Sequence, residues 1–246
     1  MGRHMIDMHS HVDLYPSPLK IAKLANEHNT FTLAVTTSPK AWQMTSRIFS
    51  RYENIAVALG LHPEIVQQKA GELDLFLNTI PDVKIIGEIG LDGSMRNINN
   101  LQLQNKIFQA ILIEAEKCGG KVLSIHSRGA EEMVLQNLIK YSNYSRVILH
   151  WFSGETDELN TAISLGCFFS IGPAALLSRR GRDLAANIPI DRILPESDGP
   201  FAKCNGICVF PWEVSPFYQF YANIYQISQE QLSLQIDENF NRLMAF

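Results

Sequence analysis

Short apolar runs alternate with longer amphipathic stretches along the whole chain. The runs are brief and rich in aliphatic and β-branched residues, as buried strands are. The pattern predicts eight strands: Met5–Met8, Thr32–Thr36, Ile55–Leu59, Val83–Glu88, Val122–His126, Arg146–His150, Cys167–Ile171 and Arg192–Glu196. The stretches between them predict helices over Pro18–Glu27, Pro39–Arg51, Leu73–Thr79, Asn99–Lys117, Ala130–Tyr141, Glu155–Leu165, Ala174–Asn187, Trp212–Tyr225 and Gln229–Met244. Within Asn99–Lys117, Leu101, Ile107, Phe108, Ile111, Leu112 and Ala115 recur at helical spacing.

Eight strands, each followed by a helix, predict an α/β protein with the architecture of a TIM (β/α)8 barrel. A doubly wound open sheet would place a glycine-rich turn after the first strand. Here that strand runs into His-Ser-His instead. No linker-like segment or internal repeat interrupts the series, so residues 5–246 read as a single domain. The first four residues, Met-Gly-Arg-His, read as an expression scar, which removes His4 from consideration.

Composition narrows the picture little. An apolar fraction of 46% supports a large core. A net charge of −4 argues against adhesion to nucleic acid through a broad basic surface, but leaves room for a local basic rim. No apolar run approaches the roughly 18 residues of a membrane span, and no signal-peptide pattern opens the chain. The expectation is a soluble cytoplasmic protein with no membrane partner. Cys204 and Cys208 form a Cys-x-x-x-Cys without a second pair, so reduced structural thiols are expected over a zinc site.

Reactive residue types fall at the strand C-termini, where a barrel builds its active site. His9 and His11 alternate on the first strand and so aim at one point. Glu88, His126 and His150 end strands four, five and six, and Asp198 follows strand eight. Imidazole with carboxylate suits Zn²⁺, Mn²⁺ or Mg²⁺. Six such side chains exceed one tetrahedral zinc site and fit two divalent ions with open positions, Glu88 being the best candidate to bridge them.

The supporting residues carry two readings each. Asp198 can act as general base or as ligand only. His62, just past strand three, can serve a phosphate or leaving group, or cap its loop. Arg128 can fork a phosphate or close a rim ion pair. The segment containing Arg179, Arg180 and Arg182 can track a nucleic-acid backbone or be a solvated helix start. Trp151, Phe152 and Phe201 can stack on bases, and for Trp151 and Phe152 packing behind the site is the alternative.

The motifs Met-His-Ser-His-Val-Asp (8–13), Leu-Gly-Leu-His-Pro (59–63), Gly-Glu-Ile-Gly-Leu-Asp (87–92), Ile-His-Ser-Arg (125–128), Leu-His-Trp-Phe-Ser-Gly (149–154), Glu-Ser-Asp-Gly-Pro (196–200) and Asn-Phe-Asn-Arg-Leu (239–243) occur in order. With them the chain resembles the TatD family of metal-dependent deoxyribonucleases, within the amidohydrolase-like barrels. The resemblance implies a two-metal phosphodiesterase acting on DNA, single-stranded or at 3′ ends. It implies that His9, His11, Glu88 and Asp198 hold one ion, and Glu88, His126 and His150 the other. Compactness and the Leu-His-Trp-Phe-Ser-Gly variant also resemble the TatD-like component of the Qat anti-phage system, implying the other Qat proteins as partners. Three departures bear on substrate: Gly93-Ser94 stands where the family usually has an aromatic residue, Lys203–Cys208 replaces an Arg/Asn-Glu-Pro segment, and the segment from strand four to the long helix is compact. A metallohydrolase for amides, esters or phosphomonoesters and a structural subunit of a defence complex are the competing readings.

Overall fold

The computed structural model describes residues 5–245. The proposed scar at residues 1–4 therefore lies outside the described residues. All eight expected strands form: β1 Met5–Ser10, β2 Thr30–Val35, β3 Ile55–Ala58, β4 Ile85–Gly90, β5 Val122–His126, β6 Arg146–His150, β7 Phe168–Ile171 and β8 Ile193–Pro195. A helical segment follows each, which is the element order of a (β/α)8 barrel. Among the described residues, no helix is long and apolar enough to cross a membrane.

The chain divides into two compact units. The first comprises the described residues up to Ala34, Ile48–Ala56, and Phe168 onward. In it β1 runs parallel to β2, from Met5 opposite Thr30 to Ser10 opposite Ala34. A register irregularity between Asp7 and Ser10 falls at His9. Strand β7 runs parallel to β8, from Phe169 opposite Ile193 to Ile171 opposite Pro195. The segment leaving β8 turns onto β1, where the Ser197 amide donates to Asp7 Oδ1 at 2.8 Å and the Asp198 amide to the His9 carbonyl at 2.8 Å. Tyr15, Phe210, Trp212 and His28 stack in sequence, with successive ring centroids 5.7, 5.1 and 4.9 Å apart. This ladder pins the segment around Phe210 and Trp212, beyond the site.

The second unit comprises Val35–Arg47 and Val57–Cys167. Here β4, β5 and β6 run parallel in that order. Thr36 ties three segments together. Its hydroxyl donates to the Ala58 carbonyl at 2.8 Å and accepts from the Gly60 amide at 3.1 Å, and its own carbonyl accepts from the Glu88 amide at 3.2 Å.

Three expectations need correction. The helix expected over Ala174–Asn187 is broken into a 3-10 turn, Ala175–Leu177, and a helix, Arg179–Ala185. Ser178 adopts extended backbone and its hydroxyl accepts from the Gly181 amide, so it caps a new helix. Secondly, Lys203–Cys204 and Ile207–Cys208 form a two-stranded hairpin, β9 and β10, around Asn205-Gly206. Pairing of Cys204 with Ile207 and Lys203 with Cys208 puts the two cysteines on opposite faces. They are free thiols, as expected. Thirdly, β8 spans Ile193–Pro195 and stops short of Glu196, where the expected strand ended.

A Cβ built on Gly60 would lie 1.6 Å from the Thr36 carbonyl oxygen, whereas one on Gly71 meets nothing within 4 Å. Gly60→Ala is therefore expected to destabilise the fold by about 3 kcal/mol. Gly71→Ala is expected to stabilise it by about 0.4–1 kcal/mol. Urea unfolding of the two variants beside the parent chain checks both.

Candidate metal centre

In the first unit, alternation along β1 and its extension brings His9 and His11 to Asp198. All three are buried. The Nε2 atoms of His9 and His11 lie 4.0 and 3.9 Å from Asp198 Oδ1. These separations are too long for hydrogen bonds. They suit donors that each reach a shared cation at about 2.0–2.2 Å. Asp198 has a φ of 48°, a left-handed conformation that aspartate tolerates better than most residues. The His11 amide donates to the Gly199 carbonyl at 2.8 Å, so backbone bonds hold both ligand-bearing segments in register.

Two further carboxylates lie behind this trio. Asp7 is fully buried and accepts from the Ser197 hydroxyl at 2.6 Å. Burial pushes its carboxyl well above the usual range, against the donated bonds of Ser197 and His9, and Glu196 adds to the rise. The Ser170 hydroxyl donates to Glu196, which turns it toward β7.

In the second unit, Glu88 is the hub. Its Oε1 lies 2.8 Å from His126 Nδ1 and 4.0 Å from His150 Nε2. Its Oε2 lies 3.2 Å from His62 Nε2. His62 Nδ1 accepts the Glu64 amide at 3.1 Å, so the proton of the neutral ring sits on Nε2. The spacing of His62, Glu88 and His126 would also admit a cation. The Glu64 bond leaves His62 Nε2 as the ring nitrogen that faces Glu88 Oε2.

Asp92 completes the cluster. Its Oδ2 lies 2.8 Å from His126 Nε2, while Oδ1 accepts from the Ser94 amide at 2.9 Å and the Asn97 side chain at 3.1 Å. Burial opposes a charge on Asp92, but hydrogen bonds from His126, Ser94 and Asn97 outweigh it and hold the carboxyl well below its usual range. Burial likewise opposes a charged His126, yet Asp92 and then Glu88 raise it to about 10. A cation held by His126 at Nδ1 would stand in place of one proton, with Nε2–H kept on Asp92, the usual carboxylate–histidine–metal relation. The donor sets of both units thus fit divalent ions.

The expected substrate contacts divide. Arg128 is exposed and makes no ion pair among the described residues. Trp151 is half-buried at a φ of 38°, its ring edge-on to His150 at 6.4 Å. Phe152 is buried, which makes it core. Arg179 is exposed beside Asp183 at 3.6 Å, and Arg180 is also on the surface. Arg182 donates to the Leu176 and Leu177 carbonyls and so serves the fold.

The profile of the family described as TatD related DNase matches residues 6–245. The chain belongs to this family. Among its TatD relatives, the 3′-5′ ssDNA/RNA exonuclease TatD of Enterobacter lignolyticus is 33% identical over 149 residues, 58% of this chain. That match spans 56% of the relative's own length. Human deoxyribonuclease TATDN3 is 26% identical over 252 residues, covering 94% of this chain and 91% of the relative. The crystal structure of YJJV, a TatD homologue from Escherichia coli, superposes with a TM-score of 0.85 at 20% identity over 97% of each chain. A TatD-family hydrolase from Entamoeba histolytica superposes equally well, at 0.85 and 17% identity. These likenesses establish the fold, a TIM barrel.

Asp92 is the site residue that the ligand pattern passes over. It lies within Gly-Glu-Ile-Gly-Leu-Asp, but a carboxylate two residues beyond a strand carries no signal of which histidine it faces. In Asp92→Asn the amide nitrogen faces His126 Nε2 and drives the ring proton to Nδ1, where the cation would bind. Titration calorimetry is expected to show metal affinity about 10- to 100-fold weaker. The metal-stripped parent adds a pH signature. A raised His126 favours folding fully below about pH 6.5, and that contribution fades as pH rises through about 10. Urea unfolding between pH 7 and 10.5 is expected to show this loss in the parent and a flatter profile in Asp92→Asn.

Proposed function

We propose that this chain is a divalent-metal-dependent phosphodiesterase that removes nucleotides from DNA, acting on single strands or 3′ ends. The carrying observation is the pair of histidine–carboxylate clusters, a buried one around Asp198 and a partly buried one around Glu88. In this reading His9, His11 and Asp198 hold one ion, and Glu88, His126 and His150 a second. Bound Zn²⁺, Mn²⁺ or Mg²⁺ supplies charge neutralisation at the phosphoryl oxygens and activation of the attacking water.

The protein's own groups do the rest. The Asp198 carboxylate orients the water and takes its proton. The Nε2–H of His62 is a donor to a phosphate or leaving-group oxygen. Arg128, with no ion pair among the described residues, meets a phosphate at the rim. Arg179, Arg180 and Trp151 offer weaker contacts farther along the strand.

The names of the relatives, an exonuclease of single-stranded DNA and RNA and a deoxyribonuclease, support phosphodiesters over amides or esters. Four free cysteines suit a reducing cytoplasm. A place among the Qat anti-phage proteins rests on the compact chain and the Leu-His-Trp-Phe-Ser-Gly variant. Co-purification of the tagged chain with the other Qat proteins tests it.

Labelled single-stranded and duplex DNA incubated with Mg²⁺, Mn²⁺ or Zn²⁺ tests the activity. Metal-dependent shortening is expected, with Glu88→Ala reducing the rate by about 100-fold or more. Metal bound in stoichiometric amount without cleavage of either DNA would overturn the nuclease reading.

A further inference from the structure

Phe201 is an anomaly of the first unit. Three residues past Asp198, it keeps 61% of its surface in solvent although it touches a buried ligand. Its ring meets the His11 imidazole edge-to-face, with centroids 5.0 Å apart and planes at 84°. The backbone around it is fastened on both sides. The Ala202 amide donates to the Asp198 carbonyl at 2.8 Å, and the Val209 amide to the Ala202 carbonyl at 3.0 Å. The ring is therefore mounted on the turn that carries Asp198, at a set position relative to that carboxylate.

Exposure alternates through this segment: Phe201 is out, Ala202 buried, Lys203 out. Lys203 makes no ion pair among the described residues. An exposed aromatic face followed by an exposed cation is the pairing that binds an unpaired strand, the ring taking a base and the cation a phosphate. In a duplex the faces of each base are covered by its neighbours, so such a ring reaches only a frayed or single-stranded nucleotide. Of the three aromatic residues flanking ligands, Phe152 is buried and Trp151 half-buried, which leaves Phe201 as the platform.

We propose that Phe201 stacks on the base adjoining the scissile phosphate and that Lys203 takes the next phosphate, so that the site selects unpaired strand ends. This rests on the phosphodiesterase reading for the position of the reacting phosphate. Phe201 lies two residues before Lys203, which opens the Lys203–Cys208 segment.

The test compares a single-stranded oligonucleotide with one carrying a tetrahydrofuran abasic nucleotide at its terminal positions. The parent chain is expected to prefer the intact strand by about fivefold to a hundredfold in kcat/KM, the range that one stacked base confers. In Phe201→Ala that preference collapses toward one, and in Phe201→Trp it is kept. Lys203→Ala lowers the slope of log affinity against log salt by about one, equally for both strands. Metal content measured in each variant separates these effects from damage to His11. No preference in the parent, or an equal loss on both strands in Phe201→Ala, would overturn the proposal. Fluorescence anisotropy with the same two oligonucleotides reads stacking without turnover. Base-dependent binding without cleavage would sink the nuclease reading and keep Phe201, whereas cleavage indifferent to the base would do the reverse.

Discussion

A carboxylate withdrawn from water must be met by hydrogen-bond donors or positive charge, and both clusters are organised by that demand. Asp7, Glu88, Asp92, Glu196 and Asp198 are all buried. Each is met differently. Asp92 has two neutral donors and the His126 ring. Asp7 has the amide and hydroxyl of Ser197. Glu88 faces imidazoles, and Asp198 faces His9 and His11 at distances that a cation closes and a hydrogen bond does not. The local arrangement of side chains depends on which of these solutions each carboxylate receives.

That distinction separates residues that hold an ion from residues that hold the holders. Asp92 acts on His126 by fixing which nitrogen keeps its proton, and Asn97 and Ser94 act on Asp92 in turn. The Glu64 amide does the same for His62, with the opposite result: it makes that ring a donor. Two histidines of the same unit thus acquire different chemistry from one hydrogen bond each. A change at Asp92 or in the loop around His62 would alter the site without touching a ligand.

The segment after β8 sets a buried carboxylate beside an exposed ring. Asp198 takes a left-handed backbone, and the chain then runs through Phe201 into the β9–β10 hairpin. Beyond the hairpin, Phe210 and Trp212 are fastened in the aromatic ladder between Tyr15 and His28. The ligand is withdrawn while its neighbour Phe201 stays in water.

The sequence by itself determined the strands, most helices and the ligand types, since these depend on local periodicity and on residues that few other roles explain. All eight strands and Pro18–Glu27, Leu73–Thr79 and Gln229–Met244 stand where alternation and prolines put them. The break at Ser178 and the hairpin were not legible, because a serine cap and an Asn-Gly turn are short signals beside the longer apolar pattern. Only tertiary structure decided which partner each side chain meets. It set Asp92 against His126, 34 residues apart in sequence, and gave Arg182 to two carbonyls while leaving Arg128 in solvent. It also buried Phe152 and left Phe201 in solvent. The reason is physical: secondary structure is set by a residue's neighbours along the chain, whereas protonation, exposure and ligand geometry are set by groups that the fold brings near.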